Sequence, residues 1–184
     1  MRIAPIDNPR GLIVRFAYWM SRRRLGKVVT PLRVLFARMP KALPGYFLTS
    51  RVLEGGLSLT PELQFLIQHH VATINGCGFC VDIGRALAIG YHVNLDKLDA
   101  LHDYRTDARF NESERAALAY VEEATRAKRV SDATFDALRS HFDEQKIVEI
   151  TWLCALENYF NLINLPLEIE SDGLCAIAER RQAA

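Results

Sequence analysis

Charge of one sign, long apolar runs, alternating strand patterns and paired metal-binding motifs are all missing from this sequence, and each absence removes a class of function. Lysine and arginine total 23 against 22 aspartates and glutamates, a formal net charge of +1. The electrostatic footprint of a nucleic-acid-binding protein is therefore not there. The apolar segment 12–20 is interrupted by Arg15 and is too short to cross a bilayer. It also lacks a small-residue cleavage site, so the sequence predicts a cytoplasmic protein with no membrane partner. No stretch alternates apolar and polar residues between turn residues, as a half-buried strand does. With no linker, repeat or low-complexity tract, the 184 residues read as one all-α domain in which residues 1–10, with Pro5 and Pro9, form an extended arm.

Cysteine is scarce as well. There are four, and without an export signal they read as reduced thiols in a cytosol rather than as a disulfide framework. Zinc at Cys77 and Cys80 is the runner-up chemistry, but it needs two more ligands, and neither Cys154 nor Cys175 sits in a second Cys-x-x-Cys or a paired-histidine motif. Cys154, within an apolar segment, reads as a small buried side chain. No metal and no bound cofactor is expected.

What the sequence does contain is helix punctuation, on a composition that is 49% hydrophobic and sufficient for a sizeable core. Leu12, Ile13, Phe16, Ala17, Trp19 and Met20 fall at helical spacing and are followed by Arg22, Arg23 and Arg24, which predicts a packing helix with a solvated basic end. Thr30 before Pro31 predicts a helix over 30–39, stopped by Pro40 and Pro44, and another short helix occupies 46–53. Asn94 caps a helix over 95–104. Asn111 and Glu114 form a capping box at the head of a helix that ends near Lys128 and Arg129. Ser131 caps a helix through Phe142, and Asp143 caps a long one over 144–164 that Pro166 ends. Residues 172–184 predict a terminal helix that frays.

The stretch 60–90 organises the rest. Thr60 is an N-cap and Pro61 sits where its missing N–H costs nothing. Leu63, Phe65, Leu66, Ile67, Val71, Ala72 and Ile74 cover more than one stripe, so this helix is buried on several sides. Asn75 and Gly76 tolerate the left-handed conformation that ends it. A second helix then runs from about Cys77 to Gly90, with both cysteines in its first turn. The free N–H groups and positive dipole at a helix start stabilise thiolate over thiol, and residues three apart share a face on which a disulfide closes.

Asn75-Gly76-Cys77-Gly78-Phe79-Cys80 in this helical setting, with Glu114-Arg115-Ala116-Ala117-Leu118, Ser131-Asp132-Ala133-Thr134-Phe135 and Asn158-Tyr159-Phe160-Asn161 downstream, resembles the alkyl-hydroperoxidase D-like (AhpD-like) proteins. These share a fold with carboxymuconolactone decarboxylases, and the resemblance covers 25–167. It implies an AhpD-like all-α helical bundle that assembles as a homo-oligomer. It also implies a redox pair in which Cys80 attacks peroxide and Cys77 resolves, although helix-end electrostatics favour Cys77 as the more acidic thiol. In that family the pair works with a histidine four residues after the second cysteine and a glutamate twelve before the first; here those positions hold Gly84 and Phe65.

If the two central helices form a hairpin about Gly76, His69 lies opposite 83–84 and reaches the space a side chain at 84 would fill. His69 is thus a candidate replacement base, against the simpler expectation of a hydrogen-bonded interface histidine. Asp82 and Arg85 read as a solvated ion pair, and Glu62 as sharing a face with the missing glutamate without reaching the thiols. Glu157, Asn158 and Asn161, inside an apolar helix, read as groups that stitch helices or subunits together. The expected function is a thiol-dependent peroxidase or disulfide oxidoreductase that takes a hydroperoxide or other small molecule and is reset by an external dithiol. The alternatives are a non-catalytic oligomeric scaffold that has lost its proton relay and an enzyme of the carboxymuconolactone decarboxylase type.

Overall fold

The structure, a computed structural model describing residues 1–53 and 55–183, contains α-helices and no strand among those residues. These are α1 (Leu12–Leu25), α2 (Leu43–Leu53), α3 (Pro61–Asn75), α4 (Gly78–Gly90), α5 (Leu95–Asp99), α6 (Glu112–Ala127), α7 (Asp132–Arg139), α8 (Glu144–Asn164) and α9 (Leu174–Gln182). Five of them begin where a short polar side chain accepts a backbone N–H two or three residues on: Thr60 from Leu63, Asn94 from Asp96, Asn111 from Glu114, Ser131 from Thr134 and Asp143 from Lys146. Each satisfies a donor that the helix itself leaves free. At α6 the Glu114 carboxylate also accepts from the Asn111 N–H, completing the capping box.

Helix α3 lies at the centre, packed against α4, α6 and α8. Ile67 and Val71 meet Val121, Ile150 and Leu153, Leu66 meets Leu98, Leu101 and Leu118, and Ala72 meets Phe79 and Leu174. Its apolar residues cover several faces because a different neighbour covers each. The loop entering α3 is pinned by the buried Glu149 of α8, which accepts the N–H groups of Ser58 at 2.9 Å and Leu59 at 3.2 Å. Among the described residues no helix is long and apolar enough to cross a membrane.

Four local expectations change. The helix expected over 30–39 is short, with a π-type turn at Leu32–Phe36, and Thr30 does not cap it: both its N–H and its hydroxyl go to the Asp172 carboxylate, 142 residues away. Pro44 does not stop a helix but sits in the first turn of α2, where its missing N–H is harmless. Residues 100–103 tighten into a 3-10 turn, and α7 ends at Arg139. In α1 the residues facing inward are Val14, Ala17 and Tyr18, while Leu12, Ile13, Phe16 and Trp19 are exposed. On the inward face the Tyr18 hydroxyl donates to the Ile6 carbonyl of the N-terminal segment.

The C-terminal segment is not a fraying appendage. Helix α9 packs on α4 and α1 and contributes Leu174, Ile177 and Ala178 to the cluster around Cys77 and Cys80; Ala184 lies outside the described residues. What holds α9 is Asp82. Its carboxylate accepts the Ser171 hydroxyl and the N–H groups of Asp172, Leu174 and Cys175, at 2.8–3.0 Å. The pair expected between Asp82 and Arg85 is therefore absent, and Arg85 bonds Asp99 instead. A carboxylate that is 8% exposed and faces free N–H groups of a helix start is stabilised there by hydrogen bonds and by the helix dipole. Asp82→Ala removes four acceptor contacts from a buried site, and the expected loss is about 2–4 kcal/mol. Urea unfolding and amide exchange measure this: exchange over 171–182 should accelerate far more than over α3, and equal protection in the variant would show that Asp82 does not hold α9.

Candidate functional site

The site begins at the turn between α3 and α4. Gly76 takes a left-handed conformation at φ 70°, which glycine adopts without strain. Its N–H bonds the Thr73 carbonyl, and the Cys77 N–H bonds the Ala72 carbonyl at 2.9 Å, the two reverse bonds of a Schellman ending. Cys77 then starts α4 as its N-cap, with Sγ accepting the Cys80 N–H at 3.3 Å. Cys77 and Cys80 are joined as a disulfide with their Cα atoms 5.3 Å apart. The expectation of four free thiols is thus corrected; Cys154 and Cys175 are the free ones.

The second wall is α8, whose polar face runs along the cysteine turn. The Asn75 amide donates to the Asn158 and Asn161 side-chain carbonyls at 3.0 and 2.8 Å, latching the turn to α8. Asn161 in turn donates to Glu157 at 2.7 Å, and Gln68 of α3 is the second partner of that carboxyl. Glu157, Asn158 and Asn161 therefore do stitch helices together. Burial pushes the Glu157 carboxyl up to about 7. One turn further on, the Asn164 amide donates to Cys80 Sγ at 3.4 Å. The sequence reading passed over Asn164, although its spacing from Glu157 and Asn161 places all three on one helical face.

The third wall is α3. A Cβ added to Gly84 would lie 3.7 Å from Nδ1 of His69, so the imidazole occupies the ground beside the absent side chain one turn past Cys80. That Nδ1 is buried and has no hydrogen-bond partner. Burial first, and the Arg85 charge second, lower the imidazole to about 4, which keeps it neutral and its lone pair available. Phe65 packs against Tyr91 with ring centroids 5.5 Å apart. Glu62 is committed to Lys97 at 2.8 Å. Among the described residues no group of three or more His, Cys, Asp and Glu side chains is gathered as a metal site would gather them.

Residues 47–123 match the sequence profile of the carboxymuconolactone decarboxylase family. The uncharacterized protein YnjA of Escherichia coli (strain K12) is 35% identical over 175 residues, spanning 92% of this chain and 94% of that protein. The debrominase Bmp8 in its apo form superposes with a TM-score of 0.81 over 96% of this chain and 95% of its own, at 20% identity, a likeness of fold alone. A protein of unknown function from Agrobacterium tumefaciens, assigned provisionally as the antioxidant defence protein AhpD, matches with a TM-score of 0.69 and 25% identity over 76% of this chain and 97% of its own.

The buried titratable groups give stability a signed pH dependence. His69 and His70 both titrate at about 4 in the fold, below the ordinary 6.5. On acidification from 6.5 the unfolded chain takes up protons that the buried rings refuse, and stability falls by about 3 kcal/mol per ring by pH 4. Glu157 acts in the opposite sense. Its carboxyl is raised to about 7, so its contribution is full below about 4.5 and is lost as pH rises through 7, again about 3 kcal/mol. His70→Phe, which keeps a ring against Tyr104, should nearly abolish the net acid loss from these groups, because the remaining ring and Glu157 then offset each other; Glu157→Gln should steepen it. Urea midpoints at pH 8, 6 and 4.5 test both signs, and parallel curves for all three proteins would contradict the assignment.

Proposed function

The chain belongs to the AhpD-like, carboxymuconolactone decarboxylase family, and from that premise we propose that it is a cytoplasmic, homo-oligomeric thiol peroxidase whose Cys77–Cys80 pair reduces small hydroperoxides. The observation that carries this reading is the linked pair at the start of α4, with one sulfur facing a side-chain donor. Cys80 is the attacking thiol, as the family resemblance implies, and its residue is 6% exposed whereas Cys77 is 0% exposed. Its thiolate attacks the terminal oxygen of ROOH; an S–O bond forms, the O–O bond breaks, and the alkoxide leaves with a proton as ROH. The Cys77 thiol then attacks the sulfenic sulfur, an S–S bond forms, and water leaves. An external dithiol returns the pair to two thiols and is itself oxidised to a disulfide.

His69 is the proton carrier. Its unpartnered Nδ1 lies beside Gly84, one turn past Cys80; burial disfavours the imidazolium, so the ring carries the Cys80 proton only transiently and hands it on to the departing alkoxide. The exposed apolar residues Phe16 and Trp19 on α1, Leu48 on α2 and Leu162 on α8 support a subunit interface. Decarboxylation of a lactone does not need a dithiol, and the retained pair argues against it.

Alkylation-mass mapping of the four cysteines before and after stoichiometric hydroperoxide tests the reading: Cys77 and Cys80 of the reduced protein should become a linked, reducible pair while Cys154 stays a thiol. Thiols inert to peroxide would return the chain to the scaffold reading. His69→Ala should slow pair oxidation by about tenfold or more with folding unchanged, and a smaller effect would remove His69 from the mechanism.

A further inference from the structure

Buried polar atoms in folded proteins nearly always have partners, so exceptions call for an explanation. Among the described residues three buried side-chain atoms have none: His69 Nδ1, His70 Nε2 and Asn164 Oδ1. Asn164 is the exception that directly touches the redox pair. It is 4% exposed, and its amide carries two different atoms, a donor set on the sulfur and an acceptor left unpaired. A disulfide sulfur carries no hydrogen and can only accept, so the group facing Cys80 Sγ at 3.4 Å is the NH2. The carbonyl oxygen is thereby fixed on the other branch, buried and unpaired. That arrangement is costly in a resting core, by about 1–3 kcal/mol for an unmet acceptor, and useful only when a donor arrives.

We propose that Asn164 is a catalytic residue of this site, donating from Nδ2 to the Cys80 thiolate and accepting at Oδ1 the O–H of the incoming hydroperoxide. The proposal rests on the peroxidase reading and names what that reading leaves open, the group that orients the substrate. The terminal oxygen of ROOH is both the atom Cys80 attacks and the atom that bears the hydrogen. One amide that binds the sulfur through nitrogen and the O–H through oxygen therefore sets nucleophile and electrophile side by side, which is the geometry an approach along the O–O axis needs. In the attack the S–O bond forms and the O–O bond breaks; the O–H bond held by Oδ1 stays intact and becomes the sulfenic hydroxyl, while the alkoxide takes its proton from His69. The amide exchanges no proton. It favours substrates that carry an O–H, hydrogen peroxide and monoalkyl hydroperoxides.

The placement explains why the partner comes from α8. Cys80 and Asn164 are 84 residues apart, and the latch from Asn75 to Asn158 and Asn161 fixes the register that brings the last turn of α8 over the cysteines. The carboxamide is carried on a helix rather than a loop, so its two atoms are held in direction as well as distance.

The test uses the reduced full chain in a Cys77→Ser background, so that Cys80 is read alone by peptide mass, with iodoacetamide as a thiolate probe and cumene hydroperoxide as substrate. Loss of the donor in Asn164→Leu should move the midpoint of the alkylation pH profile up by about one pH unit. After correction for thiolate fraction, the hydroperoxide rate should fall about tenfold further while the alkylation rate does not. An unmoved midpoint, or equal losses with both reagents, overturns the proposal. Asn164→Asp, of the same size, guards against misfolding: its added charge beside the sulfur should raise the midpoint still more. The parent itself gives a further check, since a Cys80 midpoint at or above the ordinary value of about 8.5 overturns the donor role without any Asn164 variant. Failure of the peroxidase reading looks different: the otherwise unmodified chain would not link its cysteines with hydroperoxide, whatever the alkylation profiles of the variants.

Discussion

Cys77 belongs to two helices at once, and the arrangement of the site follows from that. Its N–H closes the reverse bond that ends α3 on the Ala72 carbonyl, and its sulfur accepts the N–H that opens α4. A backbone so tightly specified leaves no freedom in where the sulfur lies. Gly76 makes this possible at a φ that other residues adopt with strain. Because the cysteine is the joint, its sulfur lies at a set point of the fold, and Cys80, three residues on, takes its position from the same helix.

The surroundings of that joint show how the fold accommodates two changes in the residues beside it. With Gly84 in place of a side chain, α3 supplies an imidazole to the same ground. Phe65 packs against Tyr91, and a buried carboxyl stands on α8 at Glu157. The two cysteines themselves lie in a largely apolar cluster with Val34, Ala72, Phe79, Ile169 and Leu174, and the Asn164 carboxamide reaches Cys80 there. Low polarity there strengthens each hydrogen bond that is made and raises the cost of each that is not.

Asp82 links this site to the C-terminus. It lies two residues past Cys80, and its carboxylate gathers the start of α9, which lays Leu174 against the cysteine cluster. Asp172, just before that helix, reaches back to Thr30 and Lys27. The N-terminal segments, the cysteine helix and the last helix are therefore joined by two acidic side chains, and the wall over the disulfide depends on both.

By itself the sequence determined the helical class, the capped starts at Thr60, Asn94, Asn111, Ser131 and Asp143, the break at Asn75 and Gly76, and the placing of Cys77 and Cys80 within reach of each other. It even placed His69 at the height of Gly84, because a tight hairpin converts sequence distance into spatial height. All of these are interactions over a few residues or across a single turn, so their geometry is contained in local spacing. Tertiary structure alone decided that Thr30 serves Asp172 rather than its own helix, that α1 turns Val14 and Tyr18 inward, that Asp82 caps α9 rather than pairing with Arg85, and that Asn164 meets Cys80. Those partners lie up to 142 residues apart. A short polar side chain carries the same local signal whether it will face water, a helix end or a sulfur, and only the packing of the helices selects among them.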